Sequence, residues 1–446
     1  MRFDISEKEI FAQCILEMFD RKINSENLNK ISFDSRLVEE GDVFIAFSGE
    51  NSDGHDYVHD CISNGASLVI NEKNGDDKKI IKVESCKQTL KQLAMKYRSK
   101  IKCKVIAITG SNGKTTTKEL LAHIMKSKFS LSYTKDNYNS TIGLPLSIFS
   151  MSNSDRYFIA ELGTNMKGEI EYLSEIVKPD FALITNISEA HLANFDSIEG
   201  IYKEKIKIFE SLDEDGVAFV NMDDPFLSSS SSYNNSKIVK FGFSNDSDSN
   251  ANYDKVSKKI RINNREIDIP SSSNLLPQNI LTVFIITREL GINFDDFNKM
   301  LKTFETPIGR GNIKYCNNYI IINDTYNSNF ASTVLGLKQL NRYPSKNRKI
   351  AVLGDMLELG PKEKEIHNSL STYLVDNNIE LIFTYGPLMK NLFLTVKDTY
   401  PNANIYHYSD KMELSTHLKR VIKDDDVIYV KGSRSMKMEK IIKEIS

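Results

Sequence analysis

Three α/β units in tandem are expected from this sequence, on three observations. At 446 residues, the chain exceeds what one hydrophobic core ordinarily organises. From about Lys104 onward, short β-branched runs alternate with amphipathic stretches of helical length, the pattern of parallel strands joined by crossover helices. The alternation restarts after Pro307, and Gly309-Arg310-Gly311 reads as the linker before it. The fold class is therefore α/β, with a small N-terminal unit over residues 1–103, a central parallel-sheet unit over 104–306 and a C-terminal unit over 307–446.

In the first unit, the strand-like runs DVFIAFSG and SLVINE flank a turn-rich Gly49 to Gly54 segment. Central strands are expected at KVIAITG, RYFIAELG, DFALITNI and GVAFVNMDDP, each ending in glycine or polar residues at the carboxyl edge, where such sheets place their chemistry. A second series follows in YIIINDTY, RKIAVLGDM, ELIFTYG and DVIYVKGSR. The serine- and asparagine-rich patches Ser228 to Ser236 and Ser244 to Tyr253 read as surface loops, having almost nothing to bury.

Composition narrows the function classes. Apolar residues make up 40% and charged ones 26%, with a formal net charge of -2, which is ordinary for a globular protein and implies no pull towards nucleic acid. The five cysteines (Cys14, Cys61, Cys86, Cys103, Cys316) are scattered, odd in number and lack C-x-x-C spacing, which argues against a disulfide framework or a zinc site and for a reducing cytoplasm. The opening MRFDISEKEIF lacks the apolar run of a secretory signal. The most apolar windows, such as Leu281 to Thr287 and Phe181 to Ile184, fall well short of the roughly 20 residues that cross a bilayer, so no membrane partner is expected.

The sharpest motif is IAITGSNGKTTTKE, from Ile106 to Glu119: a buried strand, a glycine turn, then a lysine and three threonines opening a helix. Backbone N–H groups of Gly110, Ser111, Asn112 and Gly113 can point at phosphate oxygens, and the helix N-terminus adds its positive dipole end. Lys114 would reach the terminal phosphates, while Thr115 or Thr116 offers a hydroxyl to Mg²⁺. A glycine turn capped by threonine is the plain alternative. The loop is shorter than G-x-x-x-x-G-K-[ST], and alone it indicates only a nucleotide. Glu161, ending RYFIAE, can ligate Mg²⁺ or be a solvated carboxylate. In Lys431-Gly432-Ser433-Arg434, a helix N-terminus and two cations after a strand would seat an anionic peptide end, although an ordinary basic turn looks the same. His367 reads as structural.

Several segments together resemble the Mur ligase family. They are Asp34-Ser35-Arg36 followed by GDVFIAFSGENSDGHDY, then AELGTNMKGEI from Ala160, TNISEAHLANFDSIEGI from Thr185, DTYNSN from Asp324, LGDMLELG from Leu353 and KGSRSMKME from Lys431. Within the family, the central and C-terminal segments resemble the branch that adds D-alanyl-D-alanine, and the D-N-P-R segment of the diaminopimelate- or lysine-adding branch is absent. The resemblance implies a UDP-recognising first domain, a P-loop central domain and a Rossmann-like third. It also implies a monomeric, cytoplasmic ligase that uses ATP and Mg²⁺ to join UDP-N-acetylmuramoyl-tripeptide to D-alanyl-D-alanine through an acyl phosphate.

By the same resemblance, Lys114, Glu161, His191 and Lys205 are the candidate catalytic residues, and Thr115, Glu161, His191 and a carbamylated Lys205 hold metal. From the residues alone, His191 reads equally as a hydrogen-bonded loop residue, and Lys203, Lys205 and Lys207 as a solvated helix face. Ser35 and Arg36 are assigned to the UDP moiety. Asn137 and Asn139 would lie against substrate and phosphates, and Asn279 against adenine. Arg310, Asp324, Tyr326 and Asn327 would reach ATP on domain closure, and Lys431, Ser433 and Arg434 would take the dipeptide. The chain departs from the family pattern at Ser140, Lys207, Leu275, Leu276 and Phe330.

Overall fold

The computed structural model describes residues 2–49, 52–189, 192–229, 237–244, 246–249, 251–254, 256–263, 265–270, 275–344 and 346–446. His191 and part of the Ser228 to Ser236 patch (230–236) lie outside these residues.

Runs of β-branched residues without polar interruption become strands covered on both faces. Val105 to Ile108 are fully buried, as a parallel strand between helical layers requires. The central sheet is parallel throughout, in spatial order Lys237–Phe241, Val217–Asn221, Phe181–Ile184, Lys104–Thr109, Tyr157–Glu161, Leu131–Tyr133. The phosphate loop thus leaves the carboxyl end of an interior strand. Register pairs Ile108 with Glu161 and Thr109 with Ile184, which brings Glu161 and Thr185 to the loop's two sides.

The first unit carries a five-stranded sheet in chain order, Arg2–Asp4, Lys30–Ser32, Val43–Ile45, Leu68–Asn71, Ile80–Lys82, with the first pair antiparallel. The C-terminal sheet has six strands in the order Asn312–Cys316, Tyr319–Asp324, Val427–Lys431, Lys349–Gly354, Leu381–Tyr385, Ile405–Tyr408, with only its first pair antiparallel. Every strand expected from the sequence is present. One loop assignment is corrected: residues 251–253 belong to the strand Ala251–Asp254, which pairs with Lys259–Ile262, itself paired with Arg265–Asp268. The reason is burial, because Ala251, Ile260, Ile262 and Ile267 form an apolar face that joins the core beneath the helix Pro277–Glu289.

The three units are joined differently. One continuous apolar core holds Ile31, Val43 and Leu90 of the first unit together with Val105, Phe149 and Phe158 of the central one. The two faces of the C-terminal sheet have separate cores of their own. At the first joint, the buried Tyr97 hydroxyl accepts from Glu7 N–H (3.0 Å) and faces the Phe149 and Met151 carbonyls (3.1 and 2.9 Å). All five cysteines are free thiols. Among the described residues, no helix is long and apolar enough to cross a membrane. Tyr97→Phe takes the acceptor from Glu7 N–H and the donor from the Met151 carbonyl, while the Phe149 carbonyl keeps Ser6 N–H, so chemical denaturation of the full chain should show a loss of roughly 1–3 kcal/mol with unchanged strand and helix content.

Candidate active site

The loop after Lys104–Thr109 turns in a way only glycine permits. Gly110 has φ +143°, and a Cβ there would lie 1.9 Å from Thr185 Oγ1. Gly113 is left-handed (φ 80°) and precedes the helix Lys114–Met125. The loop is pinned from below: Ser111 N–H donates to the Asn186 carbonyl (2.9 Å) and Asn112 N–H to Asn186 Oδ1 (3.2 Å). These two N–H groups are therefore spent inside the protein, contrary to the expectation that the whole Gly110 to Gly113 turn offers its amides outward. The anion-facing donors shift to the first turn of the helix, from Lys114 through Thr116, where N–H groups lack intrahelical partners. Ser111 through Thr116 line a cleft of about 750 Å³ between the central and C-terminal units.

Glu161 is the centre of this cleft and is 1% exposed. Its Oε1 accepts from Thr115 Oγ1 (3.1 Å) and Asn139 Nδ2 (2.7 Å). Its Oε2 is buried without a hydrogen-bond partner among the described residues, and the Lys118 ammonium stands 3.5 Å away. A buried carboxylate oxygen left in this way, beside a threonine hydroxyl, offers the hard oxygen donors that Mg²⁺ selects. Lys114 donates from Nζ to the Gly110 carbonyl (2.6 Å). It is half-buried at the cleft, and loss of hydration lowers its pKa, opposed by Glu161.

The C-terminal unit reaches this centre through polar groups. Arg310, between the left-handed Gly309 and Gly311, donates from Nη2 to Thr115 Oγ1 (3.1 Å) and lies 3.6 Å from the Tyr326 ring centroid. Desolvation lowers the guanidinium pKa, opposed first by Glu161. Asn329 Nδ2 donates to Asn112 Oδ1 (2.9 Å). Asp324, Tyr326 and Asn327 line the same cleft, as do Asn137, Asn139 and Asn279. Asn279 Nδ2 also donates to Thr117 Oγ1 (3.0 Å), fixing the helix Pro277–Glu289 on the loop helix.

Lys431 and Ser433 are more committed than a free seat for a peptide end would be. The Lys431 ammonium donates to Asp324 Oδ2 (2.6 Å) and the Asn327 carbonyl (3.0 Å). Ser433 accepts from Leu357 N–H (2.9 Å). The expected helix N-terminus there is a single 3₁₀ turn, Arg434–Met436, and the α-helix starts only at Glu439. Arg434 is the exposed cation of the group, 5.7 Å from the Tyr326 ring centroid and 3.6 Å from Glu439.

The three clustered lysines separate by helix face. Lys203 is exposed, Lys207 pairs with Glu210 (2.6 Å), and Lys205 points inward at 4% exposure. Burial first and the Lys114 charge second lower the Lys205 pKa well below its ordinary value. The neighbouring Glu204 turns the other way and caps the helix Glu169–Val177, accepting from Gly168 and Ile170 N–H groups (both 2.8 Å). His367 is fully buried and accepts from Met356 N–H through Nε2 (3.0 Å), a structural role. Ser35 and Arg36 do not line the cleft, and Arg36 forms a two-pronged pair with Asp34 (2.8 and 2.7 Å).

Sequence reading passed over Lys118, one helical turn beyond Lys114 and on the same face, a spacing that could have marked it. It is fully buried and donates to the Thr134 and Asp136 carbonyls (2.6 and 3.2 Å), tying the 134–139 loop to Glu161. Lys118→Met leaves those carbonyls and Glu161 uncompensated, and urea unfolding should show a loss of about 3–5 kcal/mol. A change under about 1 kcal/mol would mean that the ammonium does not hold this loop.

Comparison with known proteins bears on the whole chain. Models of the Mur ligase family match three successive segments: the family's catalytic domain over residues 27–104, its middle domain over 108–286 and its glutamate ligase domain over 309–434. The UDP-N-acetylmuramoyl-tripeptide--D-alanyl-D-alanine ligase of Rickettsia prowazekii is 35% identical, the match covering 94% of this chain and 95% of the relative. The ligase of the same name from Bacillus subtilis is 30% identical, covering 94% and 93%. Among solved structures, MurF from Acinetobacter baumannii superposes with a TM-score of 0.85 at 26% identity, covering 100% of this chain and 99% of that one. MurF ligase from Thermotoga maritima in complex with ADP gives 0.82 at 29% identity, covering 93% and 96%. With the three domains matched in order and a relative at this identity along nearly its full length, the chain belongs to the Mur ligase family.

Proposed function

We propose that this protein is an ATP-dependent ligase that joins UDP-N-acetylmuramoyl-tripeptide to D-alanyl-D-alanine, acting as a monomer in a cytoplasmic step of cell-wall precursor synthesis that supports cell shape and division. The reading rests most on one observation: the buried Glu161 oxygen without a hydrogen-bond partner, set beside the phosphate loop and facing Arg310 across the cleft. The names of the relatives supply the two substrates. We place the domain limits at 103/104 and 306/307, the first within a residue of the end of the first family segment and the second in the gap before the linker glycines Gly309 and Gly311.

A carboxylate does not condense with an amine at neutral pH, so the tripeptide's terminal carboxylate is first phosphorylated by ATP. Its acyl phosphate is then attacked by the dipeptide's amine, with phosphate leaving. Lys114 and the first turn of its helix hold the triphosphate, and Arg310 approaches the same oxygens from the other unit. Mg²⁺ would be held by Thr115 and Glu161, with His191 and Lys205 added by family resemblance, and would neutralise charge gathering on the transferred phosphoryl group. The lowered Lys205 pKa favours the uncharged amine, the form that adds CO₂ to become an anionic carbamate, and the nearby Lys114 charge would then be attractive. Asn279 and Leu276 stand at the adenine end, Asn137 and Asn139 near the reacting carboxylate, and Asp324, Tyr326 and Asn327 on the closing face. Arg434, exposed and only loosely paired with Glu439, is the cation for the dipeptide carboxylate, with Lys431 and Ser433 shaping its seat. Ser35 and Arg36 are left for the distant UDP moiety. Gathering three reactants in one cleft replaces an entropic barrier worth roughly 7–11 kcal/mol in favourable cases.

Phosphate release from ATP should require both the UDP-linked tripeptide and D-alanyl-D-alanine, and Lys114→Ala should lower it about a hundredfold to a thousandfold. Release that ignores the dipeptide, or survives Lys114→Ala, would contradict the assignment.

A further inference from the structure

Three side chains far apart in sequence meet in the first unit, away from the nucleotide cleft. His55 lies in the short 3₁₀ helix Gly54–Tyr57, Glu72 follows the strand Leu68–Asn71, and Cys86 opens the helix Cys86–Lys100. One ligand atom from each falls within a 4.8 Å group, and none of the three residues lines the cleft. His55 Nδ1 meets Asp53 Oδ1 at 2.5 Å, so the ring proton is held on that side. In the neutral ring with its proton on Nδ1, Nε2 presents a lone pair inward. It is buried and without a hydrogen-bond partner among the described residues, on a side chain only 3% exposed. The nearest carboxylate oxygen, Glu72 Oε2, stands 3.8 Å away, beyond hydrogen-bond reach. Two lone-pair donors facing each other across a gap are stabilised by a cation between them. The third group at the gap is the fully buried Cys86 thiol, whose own contact is the Ile70 carbonyl at 3.6 Å.

We propose that His55, Glu72 and Cys86 form a zinc site in the first unit. Nitrogen, sulfur and oxygen donors in a set of three suit Zn²⁺ with water in the fourth position. Asp53 supplies the outer carboxylate that orients a metal-bound histidine. Entry is open on the side of Glu72, which is 40% exposed, and its other oxygen is fixed by Cys86 N–H (2.7 Å). Burial pushes the Cys86 thiol up to about 12, so occupancy must displace its proton, as metal binding to cysteine does generally. The absence of paired cysteines in the sequence does not bear on this site, because its ligands come from three separate elements with one cysteine among them. Occupied, the ion would tie residues 53–57 to the strand and helix beside them.

The test uses the full-length protein stripped of metal and titrated with Co²⁺ alone. One equivalent should produce a thiolate-to-cobalt charge-transfer band in the near ultraviolet, discharged by Zn²⁺. Cys86→Ser should abolish the band while the other four cysteines remain. Glu72→Gln, which keeps an oxygen for Cys86 N–H, and Asp53→Asn should each weaken Co²⁺ binding by about tenfold or more. The nucleotide cleft has no cysteine among its lining residues, so Co²⁺ bound there gives no such band. Binding without the band, or a band unchanged in Cys86→Ser, would overturn the proposal.

Discussion

The Glu161 carboxylate stands where three stretches of chain meet: its own strand, the strand-loop-helix run that carries Ile108, Thr115 and Lys118, and the loop that carries Asn139. Its strand register places it beside Ile108, its Oε1 accepts from Thr115 and Asn139, and Lys118 faces its Oε2. Removing a carboxylate from water is costly, and the cost is offset only where hydrogen bonds and cations surround it. Here one oxygen is satisfied and the other is not. That asymmetry explains why so many polar residues crowd a site otherwise enclosed by apolar sheet and helix.

The same centre explains the unequal joints between units. The first and central units share one apolar core, so separating them would expose apolar surface to water. The C-terminal unit has its own cores and touches the phosphate loop through Arg310 to Thr115 and Asn329 to Asn112. Polar contacts of this kind compete with water when broken, so opening costs little compared with exposing an apolar core. A joint that opens admits reactants, and one that closes excludes water from a phosphoryl transfer.

Much of this was legible in the sequence because parallel strands are buried on both faces and announce themselves as continuous apolar runs. The four central and four C-terminal strands all fell where such runs lie, and the glycine turn before Lys114 marked the loop. The small sheet that begins at Ala251 was not legible, since its strands alternate charged with apolar residues and sit among serines and asparagines. Nor was the inward turn of Lys205 between Lys203 and Lys207, which depends on which face of a short helix the core covers. The commitment of Lys431 to Asp324 escaped for a similar reason: the two residues are brought together by strand pairing across more than a hundred positions. Lys118 was overlooked because a buried lysine looks in sequence like any other charge on an amphipathic helix.

The central claim, that Glu161 is held incomplete so as to bind a divalent cation, is most directly tested with Mn²⁺ as a paramagnetic probe. Its affinity would be measured by electron paramagnetic resonance with a non-hydrolysable ATP analogue, for the native chain and for Glu161→Gln. The account predicts about tenfold or greater weakening in the variant. It also predicts lower resistance to urea, because the substitution keeps an acceptor for Thr115 and Asn139 but leaves the buried Lys118 ammonium without its carboxylate partner. Equal Mn²⁺ affinity in the two proteins would contradict it.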